Sequence, residues 1–310
     1  MINWPSSDQW KELLPQLRGR QHLSIATVSS AFRAENDSLL FVKQLTDELL
    51  ARLQALSGCL ILLDESQQEL GKPLEAAHGL IYSDDPRYSF AELLGRFWDH
   101  KSMRGALDWQ ADRGIFLGEN VRIDPTAVVE PGASVGDDCV LDPGAYVMSG
   151  ARIGPRVTVG EGSVVRENAV LGGYGFGFAL AEGKPTIRIP HVGGVLIGKN
   201  VEIGAVSTVC AGTIDPTVVE DGVKIDDHVH VAHNCHIEEG AILTTSVALS
   251  GSVRIGRGAW LGPNCTVLQK LRIGANSLVG IGAVVMKSVP DGTTFFGNPA
   301  GPMGKTPKRK

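Results

Sequence analysis

A chain of 310 residues with 43% hydrophobic and 20% charged residues has the composition of a globular protein, so disorder is not its default state. A net charge of −5 and a pI near 5.9 give no electrostatic footprint for nucleic acid, and the short basic run 305–310 reads as a solvated end. With 38 Gly and only 6% aromatic residues, many short strands and tight corners are favoured over helices, which makes the fold mainly β.

The chain opens with Met1-Ile2-Asn3-Trp4-Pro5, which has neither the basic start nor the apolar run of a signal peptide, and no run of about 18 apolar residues follows. The expectation is a cytoplasmic protein without an integral membrane segment. Residues 23–28, 38–42 and 59–63 read as strands, and residues 46–56 and 90–98 as amphipathic helices. They predict a small N-terminal α/β domain over 1–103, joined through a connector at 101–114 to a second domain over 104–296, with 297–310 as a C-terminal tail.

From Leu117 the pattern changes. Aliphatic residues recur every sixth position from Leu117 to Leu171, return at Ile197, Ile203 and Val209, and run again from Val219 to Val285, 25 hexads in all. Four residues after each comes a small or β-branched residue such as Ala127, Ala133, Cys139, Ala145, Ser163, Cys235 or Cys265. A period of six fits neither a helix nor an alternating strand, so it is a supersecondary repeat: a parallel β-helix with two inward positions per hexad. Cys59, Cys139, Cys210, Cys235 and Cys265 are too scattered for a disulfide framework or a metal site, and three of them fill the small inward slot.

Two breaks interrupt the repeat. The first begins at Gly172-Gly173-Tyr174-Gly175-Phe176-Gly177-Phe178-Ala179 and ends at Pro190-His191-Val192-Gly193-Gly194; the second is a four-residue slip near Asp215-Pro216. Sites are carried by loops on rigid scaffolds, so function is expected where the chain leaves the prism. Beyond the slip, His228-Val229-His230-Val231-Ala232-His233-Asn234-Cys235-His236 is dense in metal-capable side chains. His230 and His236 close their hexads and read as corner or surface residues.

Gly175-Phe176-Gly177-Phe178-Ala179, Ile189-Pro190, Glu202-Ile203-Gly204-Ala205, Lys224-Ile225-Asp226 and Ala232-His233-Asn234 occur in the order seen in the UDP-3-O-acylglucosamine N-acyltransferase family of hexapeptide-repeat enzymes, which residues 20–289 resemble. The resemblance implies a left-handed coil of 18 residues, about eight coils in all, and a homotrimer. It further implies N-acyl transfer from a thioester to the amine of a nucleotide-activated amino sugar, in lipopolysaccharide or surface polysaccharide synthesis. In that family the histidine of Ala-His-Asn is the general base, here His233, a role suited to an imidazole titrating near neutrality. The glycine one coil later, Gly251, would offer its N–H to the oxyanion. Tyr174, Phe176, Phe178, His191, Asp226 and Asn234 are the candidate substrate-binding residues, with the N-terminal domain holding the nucleotide. No permanently bound cofactor and no metal are required.

The chain departs from the family in places. Lys270 stands where the family has a second histidine, Gln44-Leu45-Thr46-Asp47 where it has the uridine-contacting Asn-Pro-Lys-Tyr, Cys210-Ala211-Gly212 where it has Asp-Arg-Gly, and Tyr174 where it has Asp. The ending, from Val285-Met286-Lys287 through Gly297-Asn298-Pro299-Ala300, is more similar to coenzyme A-dependent nucleotide-sugar N-acyltransferases. The donor is therefore acyl-CoA or acyl carrier protein. Two other readings stay open: a three-histidine zinc enzyme of the hexapeptide-repeat carbonic anhydrase type using His191, His228 and His233, and a non-catalytic β-helix scaffold.

Overall fold

The computed structural model describes residues 2–98 and 107–305. The chain divides into two compact units, Met1–His100 with Gly177–Pro190, and Lys101–Phe176 with His191–Lys310. The expected boundary at 103/104 falls outside the described residues. The excursion Gly177–Pro190, expected within the β-helix domain, groups with the first unit.

In the first unit, four parallel strands, Thr27–Val28, Ser38–Val42, Leu60–Asp64 and Gly79–Ser83, lie side by side in chain order. Arg18–Gly19 adds an antiparallel edge to the last of them. The central strands are apolar along their length, with Leu39, Leu40, Leu60, Ile61, Leu63 and Leu80 buried, as expected of parallel strands covered on both faces. The strand expected at 23–28 is confined to Thr27–Val28, and Gly79–Ser83 is a strand that the short run Leu80-Ile81-Tyr82 did not announce.

Helix Asp47–Gln54 starts where the Thr46 hydroxyl accepts from Leu49 N–H, so the Gln44–Asp47 segment is the entry to a helix. Helix Pro86–Phe97 begins four residues earlier than expected, because the Asp85 carboxylate caps Tyr88 N–H and Pro86 occupies the first turn. The excursion forms a hairpin, Phe178–Ala179 against Ile187–Arg188. Ala179 and Ile189 pack on Tyr88 and Ala91 of that helix, and Tyr88 Oη donates to Pro185 O at 3.0 Å.

The second unit is a stack of three-faced coils. Ser134 pairs in parallel with Arg152, Val140 with Thr158 and Tyr146 with Val164, always 18 residues on, so three hexads close one turn. The inward aliphatics and the small slots form one continuous core, in which each fully buried Val, Ile or Leu contributes about 1.5–3 kcal/mol. Serines in the slot stay satisfied: Ser163, Ser207 and Ser277 are fully buried, and their hydroxyls donate to Gly198 O, Asp226 O and Gly274 O at 2.8, 2.7 and 2.6 Å.

Each coil turns its corner through a left-handed residue at the fourth hexad position, commonly Gly or Asn, as at Gly150, Asn168, Asn200 and Asn264. Val157 pairs with Val195, 38 residues on, so twenty residues leave the coil; Val195 then pairs with Thr217, 22 on, which is the four-residue slip. Antiparallel strands close both ends, with Asp108–Gln110 on Ile115–Leu117 and Gly301–Lys305 on Thr293–Phe296. Part of the expected connector and part of the expected tail are therefore paired strands; residues 306–310 lie outside the described residues.

Candidate active site

His233 is the third residue of its hexad, at the corner between strands His230–Val231 and His236–Ile237, where its half-buried side chain leaves the core. The next residue, Asn234, takes the left-handed turn with φ of 59°. Its carboxamide is engaged by the chain at both ends: Oδ1 accepts from Thr213 N–H at 3.2 Å and from the Thr213 hydroxyl at 2.9 Å, and Nδ2 donates to Asp215 O at 3.0 Å. Thr217 Oγ1 accepts from the Asn234 backbone N–H at 2.9 Å. The four-residue slip is what brings Thr213, Asp215 and Thr217 to this corner.

The same Oδ1 lies 3.0 Å from His233 Nδ1. A carboxamide oxygen can only accept, so Nδ1 carries a proton, and in the neutral ring the lone pair is on Nε2. Nε2 faces Gly251, one coil on. A Cβ on Gly251 would lie 2.7 Å from His233 Cε1 and 2.8 Å from Nε2, so a glycine is needed for the ring to occupy this place.

Third-position N–H groups point out of the coil, and at several corners they meet carboxylates. Glu119 N–H donates to Asp137, Lys199 to Asp221, Ala205 to Asp227, Arg257 to Glu238 and Ala275 to Asp291, all at 2.7–2.9 Å. Gly251 holds the same position, yet among the described residues nothing accepts from its N–H. A donor that is met by an anion at several other corners is open beside the His233 imidazole.

One residue from the start of the first break and one from its end, Gly175 and His191, close on the imidazole. The His191 ring lies 5.3 Å from that of His233, edge-on at 75°, and Tyr174 packs edge-on against His191 at 5.7 Å. Gly175 fits between the two imidazoles; a Cβ there would lie 2.9 Å from His191 Nε2 and 2.9 Å from His233 Cβ. His191 is 1% exposed, while Phe176 next to Gly175 is 87% exposed.

The remaining candidates stand elsewhere. Phe178 belongs to the first unit, where the Arg188 guanidinium covers its ring at 4.5 Å. Asp226 and His228 occupy the preceding corner, one face of the prism away from His233, and Asp226 Oδ1 accepts from Asp227 N–H at 2.8 Å. Lys270 is a left-handed corner residue, with φ of 62°, whose N–H donates to Gly251 O at 3.0 Å. His230 Nδ1 meets Thr208 Oγ1 at 2.7 Å and His236 Nε2 pairs with Glu220 at 2.6 Å. Among the described residues, no three His, Cys, Asp or Glu side chains of one chain converge as a metal-holding group. Burial pushes the Cys235 and Cys265 thiols up to about 12, as befits inert packing residues.

Thr213, Thr217 and Arg156 were not singled out by the sequence, and Gly175 entered only as part of the Gly-Phe-Gly run. Arg156 turns a corner with φ of 56°, and its Nε donates to Val192 O at 2.9 Å, pinning the residue after His191. An arginine at a position held mostly by Gly and Asn was the available signal. In the first unit, a cavity of about 450 Å³ lies at the carboxyl ends of strands Leu60–Asp64 and Gly79–Ser83, lined in part by Glu65, Tyr82, Ser83, Asp84, Glu92 and Arg96.

Residues 114–147 match the bacterial transferase hexapeptide (six repeats) family. The chain is 49% identical over 75 residues to a UDP-3-O-acylglucosamine N-acyltransferase of Dechloromonas aromatica, covering 24% of this chain and 21% of that one. It is 37% identical over 129 residues to the enzyme of that name from Herminiimonas arsenicoxydans, covering 42% and 37%. The matches thus span about a fifth to two fifths of those relatives' length. Among solved structures, the Francisella novicida UDP-N-acetylglucosamine acyltransferase superposes with a TM-score of 0.57 at 25% identity, over 62% of this chain and 69% of that one. The Moraxella catarrhalis UDP-N-acetylglucosamine O-acyltransferase superposes at 0.56 and 22% identity, over 62% and 73%, a likeness of fold. The chain is a left-handed parallel β-helix protein of the hexapeptide-repeat type, similar to the UDP-3-O-acylglucosamine N-acyltransferases.

Proposed function

We propose that the chain is an N-acyltransferase that moves an acyl group from a thioester to the amine of a nucleotide-linked amino sugar, in lipopolysaccharide or surface polysaccharide synthesis. The observation that carries this reading is the pairing of a base with an open donor: His233 Nε2 holds a lone pair beside Gly251, whose outward N–H has no acceptor among the described residues. The amine nitrogen attacks the thioester carbonyl carbon as Nε2 takes its proton. The tetrahedral oxyanion accepts from Gly251 N–H, the carbon–sulfur bond then breaks, and the imidazolium returns the proton to the departing thiolate, leaving an amide and a free thiol.

Asn234 acts through His233 by holding the tautomer. Phe176, exposed at the rim, offers a face for the acceptor's sugar or acyl chain. The third-position N–H groups of Gln269 and Lys287 follow Gly251 along the same corner at coil spacings of about 4.8 Å and have no acceptor among the described residues, which suits the amide carbonyls of a donor's pantetheine arm. That arm belongs to acyl-CoA or to acyl carrier protein. The cavity of the first unit, with three carboxylates and few cations, suits a nucleotide's base and ribose better than its phosphates. The functional assembly is a homotrimer, and the thioester donors place the reaction in the cytoplasm. No helix among the described residues is long and apolar enough to cross a membrane.

The test is thiol release from a panel of acyl-CoA and acyl carrier protein donors against UDP-, dTDP- and GDP-amino sugars, with His233→Ala beside the wild type. Turnover lost in a folded mutant identifies the base and names the substrate pair. Full activity in the mutant sinks the mechanism, and silence with every pair moves the weight to the zinc or scaffold readings.

A further inference from the structure

His191 has no surface to offer a substrate. It is 1% exposed, and the chain on its C-terminal side is pinned: Val192 N–H donates to Thr213 O at 2.9 Å, Val192 O accepts from Arg156 Nε at 2.9 Å, and Gly193 N–H donates to Gly212 O at 2.9 Å. A ring placed this firmly is a rigid wall, and it stands edge-on against His233.

The base is thereby bounded on several sides. Asn234 Oδ1 takes Nδ1–H, Gly251 lies against Cε1 and Nε2, Gly175 lies against Cβ and Cδ2, and the His191 ring packs nearly perpendicular to the imidazole at 5.3 Å. Hydrogen bonding from Asn234 alone would leave the ring free to swing about its Nδ1 contact; the two glycines and the second imidazole remove that freedom. We propose that His191 is a positioning residue, its buried ring fixing the plane of the His233 imidazole so that Nε2 stays beside Gly251, with the Tyr174 ring packed against His191 in turn. This rests on the reading of His233 as the base.

The test compares full-length His191→Ala, His191→Phe and Gly175→Ala with the wild type, each checked for fold by circular dichroism. The first readout needs no substrate: the rate at which diethyl pyrocarbonate modifies His233, followed by peptide mass spectrometry. His191→Ala frees the ring and raises that rate about threefold or more, while kcat falls about tenfold to a hundredfold with KM within about threefold, the signature of a misplaced reacting group. His191→Phe keeps an edge-on ring and restores both readouts to within about threefold of the wild type. Gly175→Ala, whose Cβ presses on both imidazoles, lowers kcat in the same range and carries the test should His191→Ala not fold.

Wild-type modification rate and kcat in a folded His191→Ala protein overturn the proposal. So does a His191→Phe protein as impaired as His191→Ala, which would give the role to the ring nitrogens. If the wild type turns over no substrate, the acyltransferase reading fails, and the modification rates still decide whether His191 holds His233.

Discussion

Consecutive corners of one coil, Ile225-Asp226-Asp227-His228 and Val231-Ala232-His233-Asn234, both carry a histidine, and the rest of the chain converges on the second. At the first corner the histidine itself takes the left-handed turn, with φ of 59°, and its side chain is exposed. At the second, Asn234 takes the turn and releases the histidine to the third position, where the first break delivers Tyr174, Gly175 and His191 and the slip delivers Thr213 and Asp215. Residue type is shared; supporting contacts are not. On the proposed reading, what separates His233 from His228 is the asparagine that settles its tautomer and the glycine that makes room for its ring.

The comparison breaks most easily by exchanging the two histidines' fates. His233→Ala should cost about a hundredfold to ten-thousandfold in kcat, the range of a lost general base, while His228→Ala should stay within about threefold. Equal losses at both corners would mean that the contacts around His233 are not what distinguishes it. Gly251→Ala comes next: its methyl would sit 2.7 Å from His233 Cε1, forcing the ring away and shielding the N–H. A loss of about a hundredfold in kcat is expected, comparable to removing an oxyanion donor. Steady-state kinetics with KM near the wild-type value would support it, and an active Gly251→Ala enzyme would remove the oxyanion role.

Asn234→Ala should be milder on rate and more damaging to the fold of the corner. Thr213 N–H and Asp215 O each lose their partner, at about 1–3 kcal/mol for each group left unsatisfied. With Nδ1–H no longer fixed, part of the population holds the wrong tautomer, and kcat should fall about tenfold. Thermal melting beside kcat separates the two effects, and a variant that melts early yet turns over normally would confine Asn234 to structure.

How much of this was legible follows from where each determinant sits in the chain. The β-helix was readable because one inward aliphatic in six cannot be replaced without opening the core, so the sequence repeats it through Val285. The slip was readable for the same reason, as a lapse in register. Gly175 and His191 were not readable as a clasp, since they touch His233 from 58 and 42 residues away, through a loop whose path no periodicity constrains. Tyr174, Phe176 and Phe178 look like one alternating aromatic set, yet between Phe176 and Gly177 the chain passes from one unit to the other, and Phe178 ends under Arg188. The end strands Asp108–Gln110 and Gly301–Lys305 escaped because capping strands carry no hexad pattern.

The smallest expected effect concerns a third histidine, which marks the opposite limit from His228. His78 in the first unit is fully buried, and both ring nitrogens are engaged: Nδ1 accepts from Cys59 N–H at 3.2 Å, which leaves Nε2 as the N–H that donates to Leu53 O at 2.9 Å. Burial holds its pKa below the usual imidazole value. The folded chain therefore keeps His78 neutral where the unfolded chain, with its ordinary pKa of about 6.5, takes up a proton. Stability from this residue is present above about pH 6.5 and falls as the pH drops below it, by at most about 1.4 kcal/mol per pH unit until the folded pKa is reached. Denaturant unfolding followed by tryptophan fluorescence at pH 7, 6 and 5 should show that slope for the first unit, which holds Trp4, Trp10 and Trp98. His78→Asn should flatten the slope while lowering stability at pH 7, and an unchanged slope would assign the acid sensitivity to other groups.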